Sequence, residues 1–377
     1  MNFKSSLVKS LGLVVLTSQL AGCSISAMES TNLQQSTFKV VCSSFPVYEW
    51  ANAIIGDSNN IELTLLMDNG VDPHNYQASA QDIITLQTCD VCIYIGSTSE
   101  SWIFDALTSN VYAINLMDNL TEFLIETAEP CCTVASTEYI DVPTFLSSSL
   151  EEELETEEEC TLPCCLATEV SEELVIEEPV IEELVIEELV IEATELVIVE
   201  NSGYFDEHIW LSAQLAIESC NIIADAIIEI DSEMTELYTL NLTTYIKKLQ
   251  EIDEKFQEIV DNTDNNVLIF GDRFPFRYLL SDYGIEHYAA FVGCSAETEA
   301  SFETVVYLTE MLNETTASAV CYITNLDLAN TIVQNSNDPT APTIQFNAME
   351  TIDFSNNEIS YIYFMEQNLN ALTTALR

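Results

Sequence analysis

The sequence predicts an α/β protein of two lobes, with mainly parallel sheets flanked by helices and joined by one long linking helix. Three observations carry this. Apolar runs of strand length alternate with helical stretches from residue 38 to about 115, and the same rhythm returns from residue 267 onward. Between the two series, residues of about 233–260 place Leu242, Tyr245, Ile246, Leu249, Ile252, Phe256 and Ile259 at steps of three and four, the spacing of one helix face. A chain of 377 residues also exceeds what one compact core ordinarily serves.

Taken in order, the chain opens with Lys4 and Lys9 ahead of the apolar run Leu11-Gly12-Leu13-Val14-Val15-Leu16 and then Leu20-Ala21-Gly22-Cys23. A basic segment and a short apolar core make a secretory signal, too short to span a bilayer. The small residues before Cys23 resemble a bacterial lipobox, which implies cleavage of residues 1–23 before Cys23, lipid on its thiol and an extracytoplasmic, membrane-tethered protein. Residues 24–36 read as a polar tether. The N-terminal lobe is expected over 37–230, with strands at 38–42, 61–67, 90–96 and 111–115 and helices near 46–56, 79–88 and 99–108. Ser79-Ala80-Gln81-Asp82 is a capping box opening the second of these helices. A linking helix over 231–262 follows, with Lys247 and Glu251 spaced to pair. The C-terminal lobe, 263–377, alternates strands near 267–270, 287–292, 318–323 and 343–346 with helices near 274–283, 299–312, 327–335 and 358–376.

Residues 151–200 interrupt this order. They hold 19 glutamates and no Lys or Arg, and from Glu173 to Ile191 they repeat Leu-Val-Ile-Glu-Glu with a period of five. That period matches neither a strand nor a helix, so the segment reads as an acidic low-complexity insertion. Loose capture of cations is one role for it, and a tolerated expansion in a surface loop is the other.

Charge excludes one class of partner. With 63 acidic and 9 basic residues, net charge −54, the chain offers nothing to displace the counterions of a nucleic acid. Cations are the natural ligands of such a field. Without Cys23, 11 of the 12 cysteines remain; Cys42, Cys92 and Cys321 lie in apolar strand-like runs and are expected to be buried and unpaired.

Chemistry concentrates around three histidines. His74 lies in Gly70-Val71-Asp72-Pro73-His74-Asn75-Tyr76, between a strand and a capped helix, the place where open α/β sheets gather ligands. His208 lies in Asp206-Glu207-His208-Ile209-Trp210, at a loop-to-helix junction that favours neutral imidazole. His287 starts a strand and reads first as a structural histidine, with a reserve role as a ligand.

These motifs, with the lipobox, Ser44-Phe45-Pro46-Val47-Tyr48, the long helix, Phe270-Gly271-Asp272-Arg273-Phe274-Pro275-Phe276-Arg277-Tyr278 and Gly293-Cys294-Ser295-Ala296-Glu297, stand in an order that resembles the zinc/manganese substrate-binding lipoproteins of ABC importers, the cluster A-I or ZnuA-like family. The resemblance implies a metal held between the lobes by His74 and His208. The family's third histidine has no counterpart in Gly271-Asp272-Arg273-Phe274, where Asp272 is the available ligand. Its fourth ligand, a carboxylate, would fall near Ile344-Gln345-Phe346-Asn347, which offers only amides. Arg273 and Arg277 are expected either to fork a carboxylate beside the metal or to bridge the lobes, and Glu207 stands in reserve. Two histidines with carboxylates suit Zn2+ first and Mn2+ or Fe2+ next.

The reading is therefore capture, not catalysis. A monomeric lipoprotein, anchored to the bilayer through acylated Cys23, takes up a divalent metal ion and delivers it to an ABC permease. A manganese or iron lipoprotein acting as a surface adhesin is the alternative. A metal-dependent hydrolase is less favoured, because neither H-E-x-x-H nor G-x-S-x-G is present.

Overall fold

The computed structural model describes residues 37–68, Gly70, 72–127, 204–291, 300–352 and 359–377. The leader with Cys23, the tether 24–36 and the insertion 151–200 lie outside the described residues.

The first series runs β1 (Phe38–Cys42), α1 (Phe45–Ile55), β2 (Ile61–Leu65), α2 (Ala80–Thr88), β3 (Val91–Tyr94), α3 (Ser101–Ala106), β4 (Tyr112–Asn115) and α4 (Leu116–Asn119). The short strands β5 (Glu126–Thr127) and β6 (Tyr204–Phe205) pair antiparallel on either side of the undescribed segment. Two long helices follow, α5 (Ala213–Ile230) and α6 (Thr235–Asp261). The second series is β7 (Val267–Phe270), α7 (Arg277–Asp282), β8 (Glu286–Ala289), α8 (Phe302–Glu314), β9 (Val320–Tyr322), α9 (Leu326–Asn335), β10 (Thr343–Gln345) and α10 (Tyr361–Ala375).

Each series closes into a four-stranded parallel sheet, ordered β2-β1-β3-β4 in one and β10-β9-β7-β8 in the other. Read from its second strand outward, each has the same 2-1-3-4 order. In such sheets the crevice lies beyond the carboxyl ends of the strands, where the connections part. The loops leaving β2, β7 and β10 therefore carry the residues of interest.

The apolar pattern explains the layers. Val40, Cys42, Val91 and Ile93 are buried, as are Val267, Ile269 and Phe270, because helices cover both faces of each sheet. Cys42, Cys92 and Cys321 are buried free thiols, as their strand positions predicted. Ser79 and Asp82 form the expected capping box. The 27-residue α6 buries Tyr238, Tyr245, Leu249, Ile252 and Phe256 along one face and packs against α5, α1 and α10. Lys247 and Glu251 do pair at 3.7 Å on its exposed face, an interaction of small energetic weight.

One continuous core extends from the first sheet through α6 to the second. Where the two series meet, Trp50 of α1 packs edge-on against Tyr361 of α10 at 5.3 Å, and Phe45 against Phe364 at 5.7 Å. Among the described residues no helix is long and apolar enough to cross a membrane. Trp50 is fully buried, so Trp50→Ala should cost about 3–5 kcal/mol in equilibrium urea unfolding, as expected for a large aromatic truncated inside a packed core. A loss under about 1 kcal/mol, the size of a surface substitution, would mean that the two series do not share this core.

Candidate metal centre

His74 is placed by its own turn. The Asp72 carboxylate accepts the His74 backbone N–H at 3.0 Å and caps the 3-10 turn Pro73–Asn75, while Pro73 presets the first backbone angle. Gly70 adopts a positive φ of 63°, and a Cβ there would come within 3.3 Å of the Ile352 carbonyl oxygen. The loop after β2 thus closes directly on the loop after β10.

His208 is positioned in the same way from the other direction. Asp206 Oδ1 accepts its backbone N–H at 3.0 Å and lies 2.8 Å from its Nδ1. The ring is fully buried, 5.1 Å from Trp210, whose indole N–H donates to the Ala348 carbonyl at 2.8 Å. This bond ties the histidine turn to the segment that carries Glu350.

Each imidazole leans on a carboxylate through one nitrogen and presents the other. His74 Nδ1 is 3.1 Å from Glu207 Oε1, and Glu207 Oε2 accepts the Ser99 hydroxyl at 3.1 Å. With each Nδ1 turned to its own acid, each Nε2 is turned toward Glu350, the arrangement that orients metal-binding histidines. His74 Nε2 and His208 Nε2 lie 3.9 and 3.3 Å from the same atom, Glu350 Oε1. Among the described residues these three side chains form the cluster whose donor atoms lie within 4.8 Å of one another.

The residues fit a small cation. A tetrahedral ion at about 2.0–2.1 Å from nitrogen and oxygen donors sets them roughly 3.3 Å apart, and the observed separations approach that edge. Two neutral imidazoles and one carboxylate are a zinc-type donor set. Beside them is a cavity of about 20 Å3 lined by His74, Glu207, Glu350, Ser97 and Glu100 among others, room for an ion or a water and not for an organic substrate.

Glu350 is the member of the cluster that sequence reasoning missed. It sits three positions beyond the amide of Asn347, and it is the first carboxylate after β10, which is the signal that would have found it. The chain reaches it through Met349, held at a positive φ of 59°, with Met349 N–H donating to Asn347 Oδ1 at 2.8 Å. Asn347 is clamped in turn by two 2.8 Å bonds to Asn368 of α10. Non-glycine residues in this region cost about 1–3 kcal/mol and persist where the surroundings enforce them. Burial opposes ionisation of Glu350, but the two imidazoles facing it and the Arg273 charge outweigh that and hold the acid well below the usual carboxylate range.

Asp272 requires correction as a ligand. Its Oδ2 accepts the backbone N–H groups of Ile323, Thr324 and Asn325 at 2.9, 2.7 and 2.7 Å, and its Oδ1 accepts that of Arg273 at 2.8 Å. The carboxylate is consumed in fixing the turn between β9 and α9, and it does not join the donor cluster. Both arginines lie against acids. Arg273 bonds Asp72 Oδ2 at 2.8 Å across the crevice and Glu350 Oε2 at 2.6 Å. Arg277 Nε lies 3.4 Å from Asp206 Oδ2, behind His208. His287 stacks on Phe274 at 4.0 Å, outside the cluster; burial first, and Arg277 second, lower its pKa to about 4.

Two parallel α/β lobes with an ion-sized donor cluster at their crevice define a two-lobed binding protein. Residues 40–375 match the family model described as the zinc-uptake complex component A, periplasmic, ZnuA, and the chain belongs to this family. It is 25% identical over 356 residues to the zinc-binding lipoprotein AdcA of Streptococcus pneumoniae, covering 93% of this chain and 58% of AdcA. The chain thus spans little more than half the length of that relative. The high-affinity zinc uptake system protein ZnuA of Bacillus subtilis is 23% identical over 362 residues, covering 95% of this chain and 93% of that protein. The Zn(II)-bound ZnuA-like domain of S. pneumoniae AdcA has a similar fold, with a TM-score of 0.59 at 21% identity over 90% of this chain and 99% of that one.

Glu100 lies behind Ser99, almost fully buried, and accepts the Gly96 N–H at 2.9 Å. Burial chiefly, with the Glu207 charge, raises its pKa from 4.5 to about 7 against the hydrogen bonds it receives. The folded chain therefore keeps a proton that the unfolded chain surrenders, and stability falls as pH rises from about 4.5 to 7. Glu100→Gln keeps an acceptor for Gly96 and removes the charge. Thermal melts of the metal-free protein should show E100Q more stable than wild type at pH 8 and equal to it at pH 4; equal melting at both would contradict the raised pKa.

Proposed function

We propose that the chain captures a divalent transition metal, zinc by first choice, with His74, His208 and Glu350, and delivers it to an ABC permease in the membrane. One observation carries the reading: two imidazole Nε2 atoms from separate turns face one buried carboxylate oxygen, each ring steadied by its own acid. The family match supports it, and so do the zinc-binding relatives.

The mechanism is coordination and concealment. The ion sheds most of its water as it enters and finds the donors already oriented, so little side-chain ordering opposes binding. Loops from both lobes supply the site, and the Arg273–Asp72 contact lies across the crevice. The shared core around α6 favours small closing motions over a wide hinge. Lipidation of Cys23 would keep the loaded protein beside its permease, since two or three acyl chains hold firmly where one does not.

Calorimetric titration of the full chain with Zn2+ and Mn2+ tests this. Wild type should bind one Zn2+ ion, more tightly than Mn2+, and His74→Ala, His208→Ala and Glu350→Ala should each weaken it by at least about 100-fold, as removal of a direct donor exceeds the cost of losing an outer partner. Asp272→Asn should keep one zinc site, without the loss expected of a donor variant, and should lower the melting temperature, because its carboxylate serves a turn. An unaltered zinc isotherm in H208A or E350A would refute the assignment.

A further inference from the structure

The Glu350 carboxylate is divided. Its Oε1 faces both histidine Nε2 atoms, at 3.3 and 3.9 Å, while its Oε2 is held at 2.6 Å by Arg273. Arg273 comes from the end of β7, is 4% exposed and has its second nitrogen on Asp72 Oδ2 at 2.8 Å. Asp272, one residue earlier, fastens the same backbone through the Arg273 N–H. The guanidinium is therefore held from two sides on an anchored backbone, and it cannot swing off the carboxylate without abandoning Asp72.

We propose that Arg273 is the specificity-determining residue of this centre: by occupying Glu350 Oε2 it confines that carboxylate to one metal bond, so that the protein supplies three donors and a solvent molecule completes a tetrahedron. The proposal rests on the metal-capture reading and deepens it. For Glu350 to chelate through both oxygens, the ion would have to approach Oε2, already in contact with a positive charge, and displace the guanidinium or suffer its repulsion. Asp72 neutralises the arginine without joining the donor cluster, so the ion still meets a carboxylate with its charge undiminished nearby. A single carboxylate oxygen with two imidazoles satisfies the low coordination number that zinc accepts. Manganese and other harder ions take more oxygens and gain most from a bidentate carboxylate, which this arrangement withholds.

The fourth position follows from the same geometry. Among the described residues the donor cluster holds three side chains. Arg273 fills the flank of the second lobe from which another donor would come, and it carries no lone pair to offer. The cavity of about 20 Å3 beside His74 and Glu350 is large enough for the water that completes the shell. An exchangeable solvent ligand is also a point of attack for release, since an incoming donor can bind before any protein donor leaves.

Cobalt(II) reports coordination number in the full chain and is the probe. Wild type should bind one Co2+ with the intense visible bands of a four-coordinate ion, and added azide should shift them by displacing solvent. In Arg273→Met, a side chain of similar length without charge or donors, Glu350 is free to chelate; the bands should weaken toward those of a five-coordinate ion. The preference for Zn2+ over Mn2+ should fall by about tenfold, within the range by which outer partners tune a metal. Arg273→Lys, with one ammonium for two carboxylates, should fall between. A merely structural arginine would lower melting temperature and weaken both metals alike, with the spectrum unmoved; that result in either variant overturns the proposal. Should the methionine variant fail to fold, azide-insensitive or six-coordinate wild-type spectra would overturn it equally. If wild type bound neither cobalt nor zinc, the capture reading itself would fall, whereas tight binding unaltered by R273M and R273K would remove only the role of Arg273.

Discussion

The structure depends on keeping one carboxylate charged inside the protein. Glu350 is 7% exposed, and a buried ionised acid without partners is far too costly to persist. Its two oxygens are met by different chemistry: imidazoles on one, a guanidinium on the other. Those three groups arise from residues 74, 208 and 273, on three separate connections. The fold brings them together because each connection leaves the carboxyl end of a strand or enters a helix at the same crevice. Remove any one, and the acid loses the interaction that offsets its desolvation.

The surroundings of that acid make a rigid frame. Trp210 N–H donates to Ala348, Tyr361 hydroxyl donates to the Trp210 carbonyl at 2.7 Å, and Asn368 holds Asn347 on both sides. Tyr361 and Asn368 both belong to α10, which packs on the long helix α6. The positive φ of Met349 is one visible consequence: the backbone accepts an unfavourable turn so that the next side chain points at the two histidines. A frame of this kind is ordered before any ligand arrives, so the ordering entropy that a flexible site loses on binding has largely been lost on folding.

Most of the fold was legible in the sequence because its signals are local. Alternating apolar runs marked eight strands of the two sheets within a few residues, and the three-and-four spacing marked α6. Ser79 and Asp82 announced a helix start that the backbone then used. His74 and His208 were legible for a related reason: rare residues in turns beside capped helices stand out. Glu350 was not, because its importance is entirely tertiary. In a chain with 63 acidic residues its one mark, being the first carboxylate after β10, is faint, and only the folded structure shows it buried against two imidazoles. Asp272 misled for the converse reason. It stands where the resemblance places the family's third histidine, yet three amides of the β9–α9 turn take its carboxylate as their acceptor. Sequence shows which groups are present, but competition among them for partners is settled in three dimensions.

On the proposed reading, the same competition would let a strongly acidic chain be selective at all. A net charge of −54 draws every cation toward the surface, calcium and magnesium as readily as zinc, and salt screens that attraction beyond roughly 8–10 Å. Long-range charge can raise the number of arrivals but cannot choose among them. Choice has to be made at short range, by donor type and geometry, and here it is made against the character of the rest of the molecule. Where the surface is carboxylate-rich, the centre is imidazole-rich, and two of only nine basic residues are placed beside it. Arg273 engages the second oxygen of Glu350, and Arg277 engages the acid that orients His208. Without such cations the crevice would be one more acidic pocket, attractive to hard ions that prefer many oxygens. With them, the donors that face the crevice are reduced to two imidazole nitrogens and one carboxylate oxygen, a set that on the proposed reading gives hard cations little in exchange for their own water.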